Sequence, residues 1–357
     1  MIDPLQLIKP QVRAMSAYTL KPYEFRYKMN QNENPFGFPA KLKEQVFERL
    51  RDKDWARYPD FDLVAITNAV AKHVGVQPNQ VLVGNGSNEM IYNTLAVTVG
   101  QDDHVVIPVP TFSVYKLIAT LMGATVHEPL MKADDEFALP ADEIIGIAQR
   151  HQAKIVVICT PNNPTAQSYS LSDIRRVCAE SGSLVLVDEA YQEFSSQNLI
   201  GLVEEFPNVV LLRTFSKAMA LGGLRVGYAV TNSQLAREIH KGKLPYALNA
   251  FSEAAAVVAL ENMSLFNEEI QLICSERERL YQALDALPFA YPLRSEANFI
   301  LVRFERFTPQ EVFDHVLQEG ILIRNVSHYP GLASYLRISV GMPHENDALI
   351  EALQSMI

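Results

Sequence analysis

From Val81 onward the chain alternates short β-branched runs with longer stretches of helical period, and this alternation restricts the fold more than any other feature. The runs are VLV at 81, HVVIPVP at 104, KIVVICT at 154, SLVLVDEA at 183, VVLLRTF at 209 and RVGYAV at 225. Most are apolar on successive residues rather than on every second one. That is the pattern of a strand buried on both faces, and the runs read as parallel strands of one sheet. Helical periodicity lies between most of them, from Glu89 to Val99, Val114 to Leu121, Leu171 to Glu180 and Leu235 to Lys241. Strand, helix, strand repeated in this way builds an α/β sheet covered on both faces. A long helical stretch from Ser252 to Leu287 leads into a second pattern of NFILVRF, a helix from Pro309 to Glu319, ILIR, YLRISVG and a terminal helix from His344. That pattern reads as a smaller α+β domain. The expected division is an N-terminal arm over residues 1–35, a large domain over 36–250 and a small domain over 251–357, which packs with part of the arm.

Size and charge narrow the function classes. A chain of 357 residues, 48% of them apolar, is long enough for two domain cores. Its formal charge is −10 and no Lys/Arg run breaks the acidic balance, so neither nucleic acid nor a membrane surface is an expected partner. Cys159, Cys178 and Cys274 are odd in number and widely spaced, which suits reduced cytoplasmic thiols better than a disulfide framework or a metal knuckle. No metal is expected. No apolar run approaches the roughly 18 residues of a membrane span, and the N-terminus lacks a basic stretch followed by an apolar one. Small-molecule chemistry in the cytoplasm is the remaining expectation.

In sheets of this class ligands sit beyond the carboxyl ends of the strands. After VLV comes GNGSNE, where small residues open a helix whose free N–H groups and positive dipole end suit a phosphate. Asp188 and Tyr191 close a fully apolar strand, and an acid there is costly without a cationic partner. A pyridinium nitrogen is one such partner, and a capping or Arg-paired role is the structural alternative. The segment RTFSKAMALGGLRVGY is the most specific of the chain. Its Lys217 follows two hydroxyl residues, Thr214 and Ser216, and Arg225 lies in the Gly-rich turn beyond. A lysine used to form a Schiff base must be partly neutral, which desolvation and nearby positive charge favour. Arg225 offers a forked donor pair that suits phosphate oxygens.

Together NENPFG at 32, RYPD at 57, GNGSNE at 84, PTFSVY at 110, PNNPT at 161, DEAY at 188, the Lys217 segment and LRISVG at 336 resemble the class I/II aminotransferases, and within them the histidinol-phosphate enzymes. The resemblance runs along nearly the whole chain. It implies the fold-type-I architecture: a large domain with a mostly parallel seven-stranded sheet, a smaller α+β domain, and pyridoxal 5'-phosphate held as a Schiff base on Lys217. Matched residue by residue, it implies that Asp188 pairs with the pyridinium, that Asn163 and Tyr191 contact the ring hydroxyl and that Phe112 stacks on the ring. By the same match Arg225, Thr214, Ser216 and the Ser87 and Asn88 amides hold the phosphate, with Tyr58 arriving from the second subunit of a homodimer. Two positions depart from the family pattern. Ala166 stands where Gly is usual, and Phe112 where the histidinol-phosphate enzymes often carry Tyr.

For the substrate, Arg337 matches the residue that grips the α-carboxylate. Arg324 and Tyr18 match residues that bind the substrate phosphate, Arg324 also serving the distal carboxylate of glutamate. The implied reaction is transamination between L-histidinol phosphate and 2-oxoglutarate, a step of histidine biosynthesis. An aromatic amino-acid aminotransferase and a threonine-phosphate decarboxylase are the rivals within the scaffold. A non-catalytic regulator built on the fold is disfavoured because no helix-turn-helix pattern or basic patch is present. A nicotinamide dehydrogenase is disfavoured because its glycine fingerprint is missing.

Overall fold

The computed structural model describes residues 2–17 and 21–357. Thirteen strands form among the described residues: β1 (Tyr27–Lys28), β2 (Val81–Gly84), β3 (His104–Val106), β4 (Thr125–His127), β5 (Ile155–Cys159), β6 (Leu184–Asp188), β7 (Val209–Thr214), β8 (Gly227–Val230), β9 (Ala290–Pro292), β10 (Phe299–Phe304), β11 (Ile321–Leu322), β12 (Arg324–Asn325) and β13 (Tyr335–Ser339). Seven of them make one sheet in the order β2-β8-β7-β6-β5-β3-β4. Its central strands are mostly apolar because both faces are covered. In β5, Val156 and Ile158 enter one apolar cluster while Ile155, Val157 and Cys159 enter another on the opposite face.

The structure corrects one strand expectation and supplies the seventh strand that the apolar runs do not mark. The run at 225 is not parallel to its neighbours: β8 pairs antiparallel with both β2 and β7. A parallel return needs a crossover, usually a helix. Residues 215–226 instead turn back directly over the strand ends with no helix between. The seventh strand, β4, lies at the sheet edge and is only partly buried. Its sequence, Thr-Val-His, therefore carries no apolar run to mark it.

The expected long helix from Ser252 is two helices, Ala250–Glu261 and Met263–Asp285, parted at Asn262, which leaves the helical region at φ −123 and ψ 32. The first packs on the Ala40–Leu50 and Val64–Val74 helices beneath the large sheet. ILIR splits as well. β11 pairs in parallel with β1 of the arm, while β12 joins the four-stranded antiparallel sheet β12-β13-β10-β9. A separate apolar cluster forms around that sheet and takes in Met29 from the arm. No helix among the described residues is long and apolar enough to cross a membrane.

Register brings the chemistry together. Asp188 at the end of β6 sits opposite Cys159 of β5 and Leu212 of β7, and Thr214 at the end of β7 faces Gly227 of β8. All these ends open on the same side, where the loop at 30–33 and the β12–β13 pair close over them.

Candidate active site

A cavity of about 400 Å³ lies beyond these strand ends. Twelve residues singled out in the sequence line it together: Ser87, Asn88, Phe112, Asn163, Asp188, Tyr191, Thr214, Ser216, Lys217, Arg225, Arg324 and Arg337. Tyr58 does not line it. That ring is 79% exposed and stacks on Tyr246 with centroids 4.5 Å apart. Tyr18 lies outside the described residues. A larger cavity of about 710 Å³, lined by Asp134, Arg277 and Arg294 among others, contains none of the twelve.

One end of the cleft is built to receive an anion. The Ser87–Thr98 helix starts there, capped by Gly86 at φ 83, a left-handed conformation that glycine adopts without strain. A Cβ on Gly86 would come within 2.6 Å of Arg225 Nη2, so the missing side chain lets the guanidinium lie across the helix start. Gly227 is needed for a related reason, since a Cβ there would strike the backbone of Ser87. Arg225 Nη1 donates to Ser216 Oγ at 3.2 Å and to the Gly222 carbonyl at 3.1 Å. Thr214 Oγ1 donates to Ser216 Oγ at 2.9 Å and accepts from the Ser216 N–H at 3.1 Å. Helix amides, two hydroxyls and a guanidinium thus converge on one spot, with positive potential from the helix dipole as well.

The middle of the cleft is governed by Asp188. It is 3% exposed, accepts the Tyr115 hydroxyl at 2.7 Å and the Ala190 N–H at 3.0 Å, and has no cationic partner among the described residues. Burial pushes its carboxyl up to about 6, against the two donors that pull it down. A buried acid of this kind is stabilised by any cation that enters beside it.

Lys217 lines the same cleft. Its Nζ donates to the Gln31 carbonyl at 2.9 Å and sits 5.7 Å from the centre of the Tyr191 ring. Burial, followed by the positive charge of Arg337, lowers its ammonium to about 7, while Glu33 opposes the shift. The amine is therefore available as a nucleophile near neutral pH. Tyr191 accepts from Asn32 Nδ2 at 3.0 Å, and burial raises its hydroxyl to about 12, so it stays protonated.

The far wall is doubly cationic. Arg324 and Arg337 are direct cross-strand partners on β12 and β13, which directs both side chains to one face. Arg337 Nη1 donates to Asn163 Oδ1 at 2.5 Å and Nη2 to the Asn30 carbonyl at 2.6 Å, so its plane is fixed from two sides. Arg324 is only partly buried.

The structure adds residues that sequence reasoning had not assigned. Tyr115, buried inside the helix Val114–Met122, is the hydroxyl donor to Asp188. Its sole sequence signal is a Tyr three positions after Phe112 on an otherwise apolar helix face. Asn32 lies in the NENPFG motif at φ 54 and ties the arm to Tyr191. Ala166 adopts φ 67, so the position does require the left-handed region that glycine favours. The strain of about 1 kcal/mol is offset by burial of the methyl group, which is fully enclosed in the main apolar cluster.

Comparison with known proteins bears on the family and the fold. Residues 27–353 match the family of aminotransferases of class I and II. A histidinol-phosphate aminotransferase of Chlorobaculum tepidum is 39% identical over 352 residues, covering 98% of this chain and all of that one. Among solved structures, histidinol-phosphate aminotransferase from Sinorhizobium meliloti in complex with pyridoxal 5'-phosphate superposes with a TM-score of 0.86 at 22% identity over 98% of both chains. L-threonine-O-3-phosphate decarboxylase from Porphyromonas gingivalis superposes with a TM-score of 0.80 at 25% identity, covering 93% of this chain and 99% of that one. The fold alone therefore does not separate the two reactions, but the full-length sequence match does assign the family. The chain belongs to the class I and II aminotransferases.

Proposed function

We propose that this chain transfers the amino group of L-histidinol phosphate to 2-oxoglutarate, giving imidazole acetol phosphate and glutamate, with pyridoxal 5'-phosphate as its cofactor. The observation that carries the substrate is the in-register pair Arg324 and Arg337. Two adjacent guanidiniums at one wall suit a substrate with an anion at its far end and can take, in turn, a phosphate or the two carboxylates of glutamate. The 39% identical relative named for this reaction supports the same choice.

The residues fit the cofactor at three points. The anion cradle of Gly86, Ser87, Thr214, Ser216 and Arg225 would take its phosphate, with the Asn88 amide beside it. The unpaired Asp188 would face a protonated ring nitrogen, and Asn163 and Tyr191 would meet the ring hydroxyl, with Phe112 stacked on one face. Bound there, pyridoxal 5'-phosphate supplies an electron sink for the charge that develops at an amino-acid α-carbon. Asp188 keeps the ring nitrogen protonated, and Tyr115 in turn holds Asp188 in place. Lys217 would hold the cofactor through Nζ, and the same nitrogen is the base that would move the α-proton. With glutamate, Arg337 would orient the α-carboxylate and Arg324 the distal carboxylate; histidinol phosphate has no carboxylate, and its phosphate would be received by Arg324 and Tyr18.

We also infer a homodimer in which Tyr58 of one subunit completes the phosphate site of the other. The support is an exposed aromatic cluster: Tyr58 and Phe61 both pack on Tyr246, with Trp55 and Leu244 exposed at 84% and 74%. Such a patch on a monomer marks a protein contact. Free thiols at all three cysteines are in keeping with a cytoplasmic location. The arm, large and small parts at 1–35, 36–250 and 251–357 remain our working division, with the Ala250–Glu261 helix leaning on the large part.

The test is a titration of the cofactor-loaded enzyme with histidinol phosphate, histidinol, glutamate, phenylalanine and threonine phosphate, following conversion to the amine form of the cofactor. Conversion by histidinol phosphate and glutamate at far lower concentrations than the rest supports the assignment. Preference for phenylalanine would discard the substrate, and carbon dioxide release from threonine phosphate would discard the reaction.

A further inference from the structure

Three histidines far apart in sequence meet outside the cleft. His104 opens β3, His127 ends β4 beside it, and His151 is the last residue of the helix Ala141–His151, which packs against β3. Their ligating nitrogens all lie within 4.8 Å of one another, and each residue is partly buried. His104 Nδ1 and His127 Nε2 are 3.0 Å apart, and the rings of His127 and His151 stack with centroids 4.2 Å apart. None of the three lines the active-site cavity.

Three imidazoles at this spacing cannot all carry protons cheaply. The geometry points to a chelating site rather than a packed aromatic cluster. A tetrahedral zinc ion bound by nitrogen at about 2.0–2.1 Å needs its donors roughly 3.3 Å apart, close to the 3.0 Å separation of His104 and His127. The carbonyl end of the Ala141–His151 helix adds a partial negative charge at the same corner.

We propose that His104, His127 and His151 form a binding site for one divalent transition-metal ion of the zinc class, pinning the edge strand β4 to β3 and to the Ala141–His151 helix. Three nitrogen donors leave one position for water, and imidazole suits zinc, copper and nickel ahead of magnesium or calcium.

The test uses the cofactor-loaded enzyme, freed of metal by a chelator and then titrated with Co2+ and Zn2+, beside His127→Gln and His151→Gln. One Co2+ per chain should bind with the absorption of tetrahedral coordination and be displaced by Zn2+. A hundredfold excess of Zn2+ over its Kd should raise Tm by about 4 °C. Each variant should lose affinity by more than about tenfold, the least expected even for an outer-shell partner, along with most of the Tm rise. Transaminase activity in the variants reports that they are folded, because neither residue belongs to the cleft. No Co2+ uptake by the unmodified enzyme, or the same uptake in folded variants, would overturn the proposal. The variant comparison also excludes ions held by the cofactor itself.

Discussion

Lys217 is expected to capture pyridoxal 5'-phosphate at close to its full rate already at neutral pH. An ordinary lysine near 10.5 is uncharged in roughly one molecule in 3,000 at pH 7. Burial and Arg337 lower Lys217 to about 7, so about half of its molecules are uncharged there. The gain in reactive amine is roughly a thousandfold. The sign follows from the lowered value: the neutral fraction is complete well above pH 7 and falls about tenfold per unit below it. Mixing cofactor-free enzyme with pyridoxal 5'-phosphate in a stopped-flow instrument should therefore give a rate that rises up to about pH 7 and then flattens. Borohydride trapping and peptide mass analysis identify Lys217 as the attachment point, and Lys217→Ala should bind the cofactor without covalent attachment. Arg337→Gln removes the largest charge contribution and should move the plateau to higher pH. A wild-type rate that keeps climbing tenfold per unit through pH 9 would refute the reasoning, because the amine would then be an ordinary solvated lysine. An unchanged profile in Arg337→Gln would remove Arg337 from the causes and leave burial with the lesser charges of Arg225 and Lys28.

Further outcomes rest on separate features. Arg213 and Glu189 form an ion pair at 2.7 Å with both side chains almost wholly buried, so Arg213→Met should cost about 3–5 kcal/mol in urea unfolding, and adding Glu189→Gln should recover much of it. Equal losses in the single and double variants would show that the guanidinium matters for packing instead. Gly86→Ala should weaken cofactor retention on dialysis, since the new methyl meets Arg225 at 2.6 Å and the backbone stands at φ 83; retention at the wild-type level would contradict the cradle. Arg324→Ala should raise KM for histidinol phosphate and glutamate by about 10- to 200-fold, the worth of about 1.5–3 kcal/mol for a charged hydrogen bond, with phenylalanine turnover barely changed. Equal losses for all three substrates would remove Arg324 from specificity.

Much of the site was legible because the relevant residues end apolar runs. A buried strand carries a polar residue most cheaply where it leaves the sheet, so Asp188, Thr214 and the start of the Ser87–Thr98 helix stood out as places where chemistry could be held. Their common level is a consequence of strand register, which follows from the apolar pattern. Less was legible where one strand carried no apolar run or where a turn decided direction. β4 is a partly exposed edge of three residues, and β8 runs back antiparallel to β7 after residues 215–226, which form no helix.

The sequence by itself determined the α/β class, the helix and strand alternation, and the identity of the groups at the strand ends, because these depend on periodicity and on the cost of burying polar atoms locally. Only the tertiary structure decided which distant groups act on each other. Tyr115 reaches Asp188 across 73 residues, Arg337 reaches Asn163 across 174, and Asn32 of the arm reaches Tyr191 across 159. The lowered ammonium of Lys217 and the meeting of His104, His127 and His151 arise in the same way. Desolvation and charge proximity are properties of space, and no local pattern along the chain records them.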